Sequence, residues 1–507
     1  MAETGDWITP RLYGQPWFEK PVLYYWAAAL GFLAHLPPEW AARLPSALAA
    51  LAAAVAIGWL ATKHYSRDGR TGPNPAWLAP VVFSTSVAAI GFARAATPDM
   101  LFGAALALAM TSAATALRRT GALQGTPEAP DAHQGDLWPL VRFGAFLGLA
   151  VLAKGPAAVL LADGAVGLWA LATKHWRPAM RLAHPAAIVA FCIVALPWYI
   201  VCARRNANFL RIFIFEHNFE RYVTPVFHHR QPFWFFGPIV LLALLPWTVL
   251  LWSAAREGIR LWRAKFWHDS PGLFFACWAV FPVLFFSFSQ SKLPSYILPA
   301  IPPLALLCSV GASRAARESR ALGASLAVGV GLAWIALGVT GVVFARRIPW
   351  VRYDQAYTPN YMALWSGWVI VLCLLVAVAV AAAGFHRRMR LAFVLSALCT
   401  ALALGTGTQR ILPVLDVFYS ARPHAERLQA ARQPEHIFTY HLDRSWNYGL
   451  AFYLHRVLPE WSPTNSEPAL VLTSLEGLQE IGAKNRLDRP RAEAAGLYYV
   501  LIAPASR

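Results

Sequence analysis

Apolar segments long enough to cross a lipid bilayer as helices recur along this 507-residue chain between residues 43 and 408. A hydrocarbon core of roughly 30 Å needs about 20 apolar residues in a helix. Only 14% of the residues are charged and 57% are hydrophobic, which leaves too little polar surface for a soluble protein of this length. The sequence therefore predicts a polytopic α-helical membrane protein.

The apolar segments predict about twelve membrane spans. They lie near residues 43–62, 76–94, 99–117, 139–153, 157–172, 184–202, 235–254, 271–289, 294–311, 321–344, 364–384 and 389–408. A further apolar stretch, residues 21–36, is short, begins with a proline and is rich in Tyr and Trp. Because aromatic rings favour the headgroup level of a bilayer, we predict a helix in the membrane interface there.

Basic residues between the spans predict the orientation of the chain. Six clusters are each separated from the next by two spans, so all six fall on one side of the membrane: Lys63/Arg67/Arg70, Arg118/Arg119, Lys174/Arg177/Arg181, Arg256/Arg260/Arg263/Lys265, Arg314/Arg317/Arg320 and Arg387/Arg388/Arg390. Cytoplasmic loops carry an excess of Lys and Arg, so this side is predicted to be the cytoplasm. Residues 1–42, the loop at 203–234 and the C-terminal tail then lie outside.

The composition divides the chain into three predicted domains. Residues 1–42 form an external juxtamembrane segment with the interfacial helix, residues 43–408 form the transmembrane domain, and residues 409–507 form a small external α/β domain. In the last of these, strands are predicted at His436–Tyr440, Ala469–Thr473 and Leu497–Ile502, with a helix at Leu450–Leu458. This tail contains no glycine-rich nucleotide-binding loop, so no nucleotide cofactor is expected, and its simplest role is packing or shaping the substrate site.

Several functional classes are disfavoured by the same sequence. The six cysteines all lie in or beside apolar runs and form no CxxC pair, which argues against a disulfide framework or a cysteine metal site. The net charge of +18 comes from scattered clusters that fit membrane topology better than binding of nucleic acid. A transporter remains a minor alternative, because the span centres are almost free of charge except at Asp163 and no half-to-half repeat is visible.

Charged side chains gather unexpectedly on the predicted external side, many of them within a few residues of a span's end. With one tyrosine, the set is Asp6, Arg11, Glu19, Lys20, Asp99, Lys154, Arg204, Arg205, Arg211, His217, Arg221, Arg230, Lys292 and Tyr296. We expect them to converge on one cavity at the outer leaflet. Several cations with few carboxylates suit a phosphorylated lipid, and the carboxylates suit a base or metal ligands.

Each of these residues also has a structural interpretation that the sequence leaves open. Glu19 and Lys20 suit an interfacial ion pair, and Asp99 after Pro98 suits a helix N-cap. Lys154 suits a contact with lipid headgroups, and His217 suits a solvated loop. The functional interpretation is favoured because all of these residues fall on one face of the membrane.

Several motifs resemble those of the polyprenyl-phosphate-sugar glycosyltransferases, GT-C enzymes of the protein mannosyltransferase superfamily. Within that superfamily the chain most resembles the bacterial transferases that attach 4-amino-4-deoxy-L-arabinose to lipid A. The similar segments are Gly5-Asp6-Trp7-Ile8-Thr9-Pro10, Gln15-Pro16-Trp17-Phe18-Glu19-Lys20-Pro21, Thr97-Pro98-Asp99, Lys154-Gly155-Pro156, Glu216 to Tyr222 and Ser291 to Pro299.

The resemblance implies a function and roles for individual residues. It implies transfer of a sugar from an undecaprenyl-phosphate carrier to lipid A phosphate at the periplasmic face of the bacterial inner membrane. Asp99 and Glu19 would be the catalytic carboxylates, and Glu19 with His217 would bind a divalent cation. The donor phosphate would contact Lys20, Arg221, Tyr296, Trp17, Lys292 and Lys154. A hexose donor, or a protein or other glycan as acceptor, remains open.

The chain departs from the family pattern at its start. Family members have thirteen spans and an acidic motif, upstream of the Gly-Asp-Trp segment, that supplies the main catalytic base. This sequence begins at Met1, only four residues before Gly5. We therefore expect an upstream segment with one more span, and with that acidic motif, to be missing from it.

Overall fold

The structure, a computed structural model, describes residues 1–65, 73–123, 136–220, 231–347, 359–411, 416, 419–430, 436–462, 468–484, 491–494 and 496–502. Most of the described chain is helical. The first half contains α1 (Leu23–Leu33), α2 (Pro38–Tyr65), α3 (Pro75–Ser84), α4 (Val87–Ala93), α5 (Asp99–Arg119), α6 (Trp138–Lys154), α7 (Ala157–Thr173), α8 (Trp176–Met180) and α9 (Pro185–Arg205). A π-helix follows at Arg211–Glu220, and a short hairpin pairs β1 (Arg11–Leu12) with β2 (Gln15–Pro16).

The second half continues the helical array and ends in a small sheet. Its helices are α10 (Phe236–Ala243), α11 (Leu250–Arg263), α12 (Pro271–Ser287), α13 (Ile301–Glu318), α14 (Arg320–Arg347), α15 (Pro359–Phe385), α16 (Met389–Thr406), α17 (Ala421–Gln429), α18 (Arg444–Leu454) and α19 (Leu475–Lys484). Tighter 3₁₀ turns lie at Arg181–Ala183, Phe233–Phe235, Trp247–Val249 and Pro294–Ala300, and a second π-helical turn lies at Gly407–Ile411.

Helix lengths support a polytopic membrane protein. Among the described residues, seven helices are long and apolar enough to cross a bilayer, or nine if two bent helix pairs are each one span. The predicted spans at 76–94 and 235–254 are bent helix pairs, because α3 and α4 meet at 60° and Phe233–Ala243 and Trp247–Arg263 meet at 115°. Ser86 causes the first break, since its hydroxyl accepts from the Ala89 N–H and so begins a new helix. The predicted number of spans stays a prediction.

Burial places α5 at the centre of the helical array. In their apolar stretches, α5 is 83% buried within the protein and α9 only 22%. Small side chains allow such helices to pack closely. Gly144 on α6 is an example, because a methyl group there would lie 1.9 Å from the Ala187 carbonyl oxygen on α9. The helix α1 has only 11 residues, too few to cross a bilayer, which agrees with the predicted interfacial helix.

The backbone groups into two compact units. One comprises Met1–Leu337 with Cys373–Ala397, and the other comprises Gly338–Leu372 with Leu398–Arg507. The predicted domain boundaries at residues 42/43 and 408/409 differ from this grouping and stay a prediction.

The second unit contains a four-stranded sheet with strand order β3 (Ile437–Tyr440), β4 (Ala469–Thr473), β6 (Leu497–Ile502) and β5 (Arg491–Ala494). The first pair is parallel and the other two pairs are antiparallel. The three predicted strands are present, and the helix predicted at 450–458 is present but begins and ends earlier in the chain. That helix runs from Arg444 to Leu454 and ends where His455 adopts a left-handed conformation with φ 52°.

Candidate active site at the helix ends

Lys154 is positioned by a sharp turn between two helices. The helix α6 ends at Lys154, and Gly155 follows with φ 107° and ψ −169°, a conformation that is strained for any residue with a Cβ. Pro156 then begins α7 with φ −65°, the value that its ring imposes. The Lys154-Gly155-Pro156 sequence therefore presents the lysine ammonium at the end of the helix array.

Asp99 lies beside this lysine at the start of α5. The Lys154 ammonium donates a hydrogen bond to the Asp99 carboxylate, and each side chain is only 16% exposed. Pro98 occupies the N-cap position and Asp99 is the first helical residue, so the predicted N-cap role of Asp99 is wrong. The Asp99 side chain instead takes part in a largely buried ion pair, and the negative charge is favourable at a helix N-terminus.

Three neighbouring residues complete the surroundings of this pair. Ser295 lies close to the Asp99 carboxylate. The ring of Tyr296 lies 5.0 Å from the Lys154 ammonium, and the Phe102 ring lies 5.6 Å from it. An ammonium at such distances from aromatic rings is attracted to them. The pair is thus enclosed by a hydroxyl group and two rings.

Ser295 and Tyr296 are placed by the 3₁₀ turn at Pro294–Ala300. Four prolines at positions 294, 299, 302 and 303 lack backbone N–H groups, so this part of the chain cannot make a continuous helix ladder. The Tyr296 ring packs against Phe286 at 4.7 Å between ring centres. The turn passes α5, where Leu298 lies against Gly103. This packing holds Ser295 and Tyr296 next to the first turn of α5.

The residues Met1–Val22, the N-terminal segment, bring Lys20 to the same place. The charge of Lys20 acts on the Asp99 carboxylate. Indole N–H groups anchor the segment: Trp198 donates to the Ile8 carbonyl at 2.9 Å, and Trp26 donates to the Trp7 carbonyl at 2.7 Å. Because Trp198 lies near the end of α9, the segment is bound to the same end of the helix array as Lys154.

Further contacts fix the N-terminal segment. The Asn206 amide donates to the Thr9 hydroxyl at 3.0 Å, and the rings of Phe18 and Phe209 meet edge to face at 5.1 Å. The Asp6 carboxylate accepts from the backbone N–H groups of Thr9 and Ile8, each at 3.1 Å. These hydrogen bonds, with the nearby Arg11 guanidinium, lower the pKa of Asp6 despite partial burial.

Lys292 is buried and its ammonium is occupied by carbonyl groups. It donates to the Ser289 carbonyl at 2.6 Å and to the Gln231 carbonyl at 3.0 Å, and only 7% of the residue is exposed. Burial lowers the pKa of Lys292 because it disfavours the charged form. These contacts hold the loop before Ser295 in place, and the predicted binding of the donor phosphate by Lys292 stays a prediction.

Other predicted site residues are placed only in part. Glu19 and Trp17 are half-buried in the N-terminal segment. The side chain of His217 and all of Arg221 and Arg230 lie outside the described residues. Within the described part of the chain, no group of three or more His, Cys, Asp or Glu side chains is arranged to hold a metal ion. The divalent-cation site at Glu19 and His217 therefore stays a prediction.

The sequence interpretation missed two members of the site. The sequence gives no signal of a role for Ser295 within the segment from Ser291 to Pro299, or for Phe102. Phe102 follows Asp99 by three residues on the same helix, a spacing that places both side chains on one face. The pairing of Lys154 with Asp99 was also missed, since the two residues are 55 positions apart.

Comparison with known proteins supports the predicted resemblance. Residues 1–213 match the family model of the dolichyl-phosphate-mannose-protein mannosyltransferases. The chain is 32% identical over 307 residues to the undecaprenyl phosphate-alpha-4-amino-4-deoxy-L-arabinose arabinosyl transferase of Edwardsiella ictaluri, covering 61% of this chain and 52% of that protein. It is 32% identical over 353 residues to the Pseudomonas aeruginosa PAO1 protein of the same name, covering 68% of this chain and 60% of that protein. The chain thus spans between half and three fifths of these two relatives.

Solved structures confirm the predicted fold class. The crystal structure of ArnT from Cupriavidus metallidurans in the apo state matches with a TM-score of 0.74 and 20% sequence identity, covering 99% of this chain and 91% of that chain. The same protein bound to undecaprenyl phosphate matches with a TM-score of 0.73 and the same identity and coverage. The chain therefore has the fold of these two structures, and together with the curated relatives this confirms the predicted resemblance.

Proposed function

We propose that this chain acts as a membrane glycosyltransferase that takes a sugar from an undecaprenyl-phosphate carrier. The observation that carries the proposal is the enclosed cluster of Asp99, Lys154, Ser295 and Tyr296, with Lys20 brought to it by the N-terminal segment. Several relatives are named as transferases of this donor class, and one solved structure of the same fold contains undecaprenyl phosphate. Together these observations favour a site for a lipid-linked sugar phosphate.

The charge balance of the cluster suits a phosphodiester. Lys20 and Lys154 carry two positive charges against the one negative charge of Asp99, which leaves one positive charge in excess. A polyprenyl-phosphate sugar carries one negative charge on its phosphodiester, which the excess positive charge of this cluster would attract. We include Arg221, Trp17, Lys292 and Tyr296 as further donor-binding residues in this proposal.

The proposed reaction is a displacement at the anomeric carbon of the sugar. The bond from that carbon to the phosphate oxygen breaks, its electron pair stays on the phosphate, and a bond to the acceptor oxygen forms. Negative charge therefore grows on the departing polyprenyl phosphate. Cations that are already positioned stabilise such charge without reorganisation, and Lys20 and Lys154 would lower the barrier in this way.

The acceptor determines whether a base is required. A hydroxyl acceptor must lose its proton, and we propose Asp99 and Glu19 as candidate proton acceptors. An acceptor phosphate is already ionised at neutral pH and needs no base. We propose lipid A phosphate as the acceptor and 4-amino-4-deoxy-L-arabinose as the sugar, because the relatives carry that sugar in their names.

We place the site at the periplasmic face of the bacterial inner membrane. The proposal is supported by the basic clusters at the opposite helix ends, where Arg256 and Arg314 contact Glu318 at 2.7 and 2.9 Å. That region is at the far end of α13 from the 3₁₀ turn that carries Ser295. With 18 residues in α13, the two ends are about 27 Å apart.

Mass spectrometry of lipid A tests the proposal. The chain is expressed, with its upstream segment if the gene provides one, in a polymyxin-sensitive strain that lacks its own transferase but makes the lipid-linked aminoarabinose. We expect lipid A to gain the mass of one aminopentose. Lys20→Ala should abolish the gain, and Lys63→Ala, which removes an exposed cation at the other end of α2, should retain it.

Two outcomes would contradict the proposal. Unmodified lipid A from a well-expressed, membrane-inserted chain would exclude the proposed sugar and acceptor pair. If the wild type and Lys20→Ala transferred the sugar equally well, the assignment of Lys20 to the donor site would be wrong, whichever acceptor is used.

A further inference from the structure

A basic cavity lies at the helix ends opposite the proposed active site. Its volume is about 950 Å³, and it is formed by the end of α13, the start of α14, the end of α15 and the start of α16. The residues that line it are Pro73, Ala316, Arg317, Glu318, Ser319, Arg320, Gly323, Gly384, Arg387, Arg388, Met389, Arg390 and Leu391. The proposed glycosyl transfer makes no use of this cavity.

The cavity carries a strong positive charge. Five of its described lining residues are arginines, and Glu318 is the one carboxylate among them. Glu318 is already bound by Arg256 at 2.7 Å and by Arg314 at 2.9 Å, and neither of these arginines lines the cavity. Its negative charge is therefore balanced by arginines outside the cavity, and the lining as a whole keeps an excess of positive charge that attracts an anion.

Hydrogen bonds fix the Arg320 guanidinium and the backbone that carries Arg387 and Arg388. The Arg320 guanidinium donates two hydrogen bonds to the Phe385 carbonyl, at 2.8 and 3.0 Å, and so joins the start of α14 to the end of α15. Arg387 has φ 60° and the Arg388 N–H donates to the Ala383 carbonyl at 2.8 Å, which makes a tight turn between α15 and α16. This turn presents Arg387 and Arg388 side by side, and both are exposed.

Three of the lining arginines form no ion pair with a described carboxylate. In the part of the chain that the structure describes, Arg317, Arg387 and Arg388 have no carboxylate within ion-pair distance. Guanidinium groups bind the oxygens of phosphates and carboxylates in a bidentate manner, so adjacent arginines suit an oxyanion such as a phosphate better than a chloride ion.

Apolar surface adjoins the cations. Leu391 lines the cavity and is 41% exposed, Phe385 follows the lining residue Gly384 and is 54% exposed, and Met389 lies in the wall. A site for a soluble anion needs no such surface, whereas a phospholipid places acyl chains directly next to its phosphate. The position at the ends of apolar helices, at headgroup level, agrees with that geometry.

We propose that this cavity binds the phosphate headgroup of an anionic phospholipid. The shared chemistry is phosphate recognition by the adjacent arginines Arg317, Arg387 and Arg388, with the acyl chains lying along Leu391 and Phe385. Such a lipid would tie the ends of α13 to α16 together at the face opposite the sugar-transfer site.

Lipid titration of the purified, delipidated full chain tests the inference. Native mass spectrometry counts bound dioctanoyl-phosphatidylglycerol, with dioctanoyl-phosphatidylcholine as the neutral lipid and sodium phosphate as the soluble anion. Each cation near an anionic headgroup contributes about fivefold to binding, so Arg387→Gln with Arg388→Gln should weaken binding of phosphatidylglycerol roughly thirtyfold. Arg177→Gln with Arg181→Gln removes two exposed cations outside the cavity and should change it little.

The remaining outcomes decide the assignment. Arg317→Gln, at the exposed end of α13, provides a single variant that does not alter the turn, and it should weaken binding about fivefold. Equal binding of the two lipids, or equal losses in the cavity and control variants, would overturn the proposal. If sodium phosphate bound as tightly as phosphatidylglycerol and displaced it, the lipid proposal would be overturned, and the ligand of the cavity would be a soluble anion.

Discussion

Replacement of Lys154 by methionine would leave the Asp99 carboxylate without its nearest cation. Each of these side chains is only 16% exposed, so the lost interaction is poorly replaced by water. Removing one partner of a buried ion pair costs about 3–5 kcal/mol, because the remaining charge stays buried. The charge of Lys20 acts on Asp99 as well, which puts the expected loss of unfolding free energy at about 3 kcal/mol, the low end of this range.

A double-mutant cycle isolates the pair. Asp99→Asn should cost a similar amount, and the Lys154→Met with Asp99→Asn variant should lose less than the sum, with a coupling of about 2 kcal/mol. The unfolding free energy is measured by titration with SDS in mixed micelles, followed by circular dichroism. Lys63→Met is the matched control, since that lysine is exposed, and it should cost less than about 1 kcal/mol.

Two results would refute this reasoning. The first is a cost for Lys154→Met no greater than that for Lys63→Met. The second is a double variant whose loss equals the sum of the two single losses, since that would show that Asp99 and Lys154 do not stabilise each other.

Three other predictions concern the turn, the N-terminal segment and the metal. Gly155→Ala should destabilise the protein by about 1–3 kcal/mol because Gly155 has φ 107°, whereas Gly167→Ala, in the open part of α7, should not lower the thermal unfolding temperature. Hydrogen bonds lower the pKa of Asp6 below its ordinary 3.8, so its stabilising effect is present above pH 3.8 and lost as the pH falls through the folded-state value. Asp6→Asn should remove this acid dependence from hydrogen–deuterium exchange in the N-terminal segment, and an unchanged profile would contradict it. If Glu19 and His217 hold a divalent cation, EDTA should lower sugar transfer and Mg²⁺ should restore it. Sugar transfer that EDTA leaves unchanged would refute this cation site.

The helical array could be predicted because span length is a direct property of the sequence. Each predicted span coincides with a described helix or a bent helix pair. The bends could not be predicted from apolar content, which does not report the local cap at Ser86 or the contacts between distant residues at the bends. The Trp247 indole, for example, donates to the Thr85 hydroxyl at 2.8 Å, and this bond joins the two broken pairs.

The sequence predicts which residues form the candidate site, but it does not predict which of these residues contact each other. Positive-inside topology placed Lys20, Asp99 and Lys154 on one side of the membrane, and the structure brings them to one end of the helix array. That Lys154 pairs with Asp99, and that Lys292 is occupied by carbonyl groups, depends on the turns at Gly155 and Pro294. Turn geometry of this kind is set by packing, which a single sequence does not report.

Direct binding of undecaprenyl phosphate tests the central claim that the polar cluster recognises a lipid-linked phosphate. Native mass spectrometry of the purified chain should show a bound molecule of this lipid. Lys20→Ala should weaken its binding at least tenfold, because hydrogen bonds to charged groups contribute about 1.5–3 kcal/mol. Lys63→Ala should bind like the wild type. Equal affinity of the wild type, Lys20→Ala and Lys63→Ala for undecaprenyl phosphate would contradict the account.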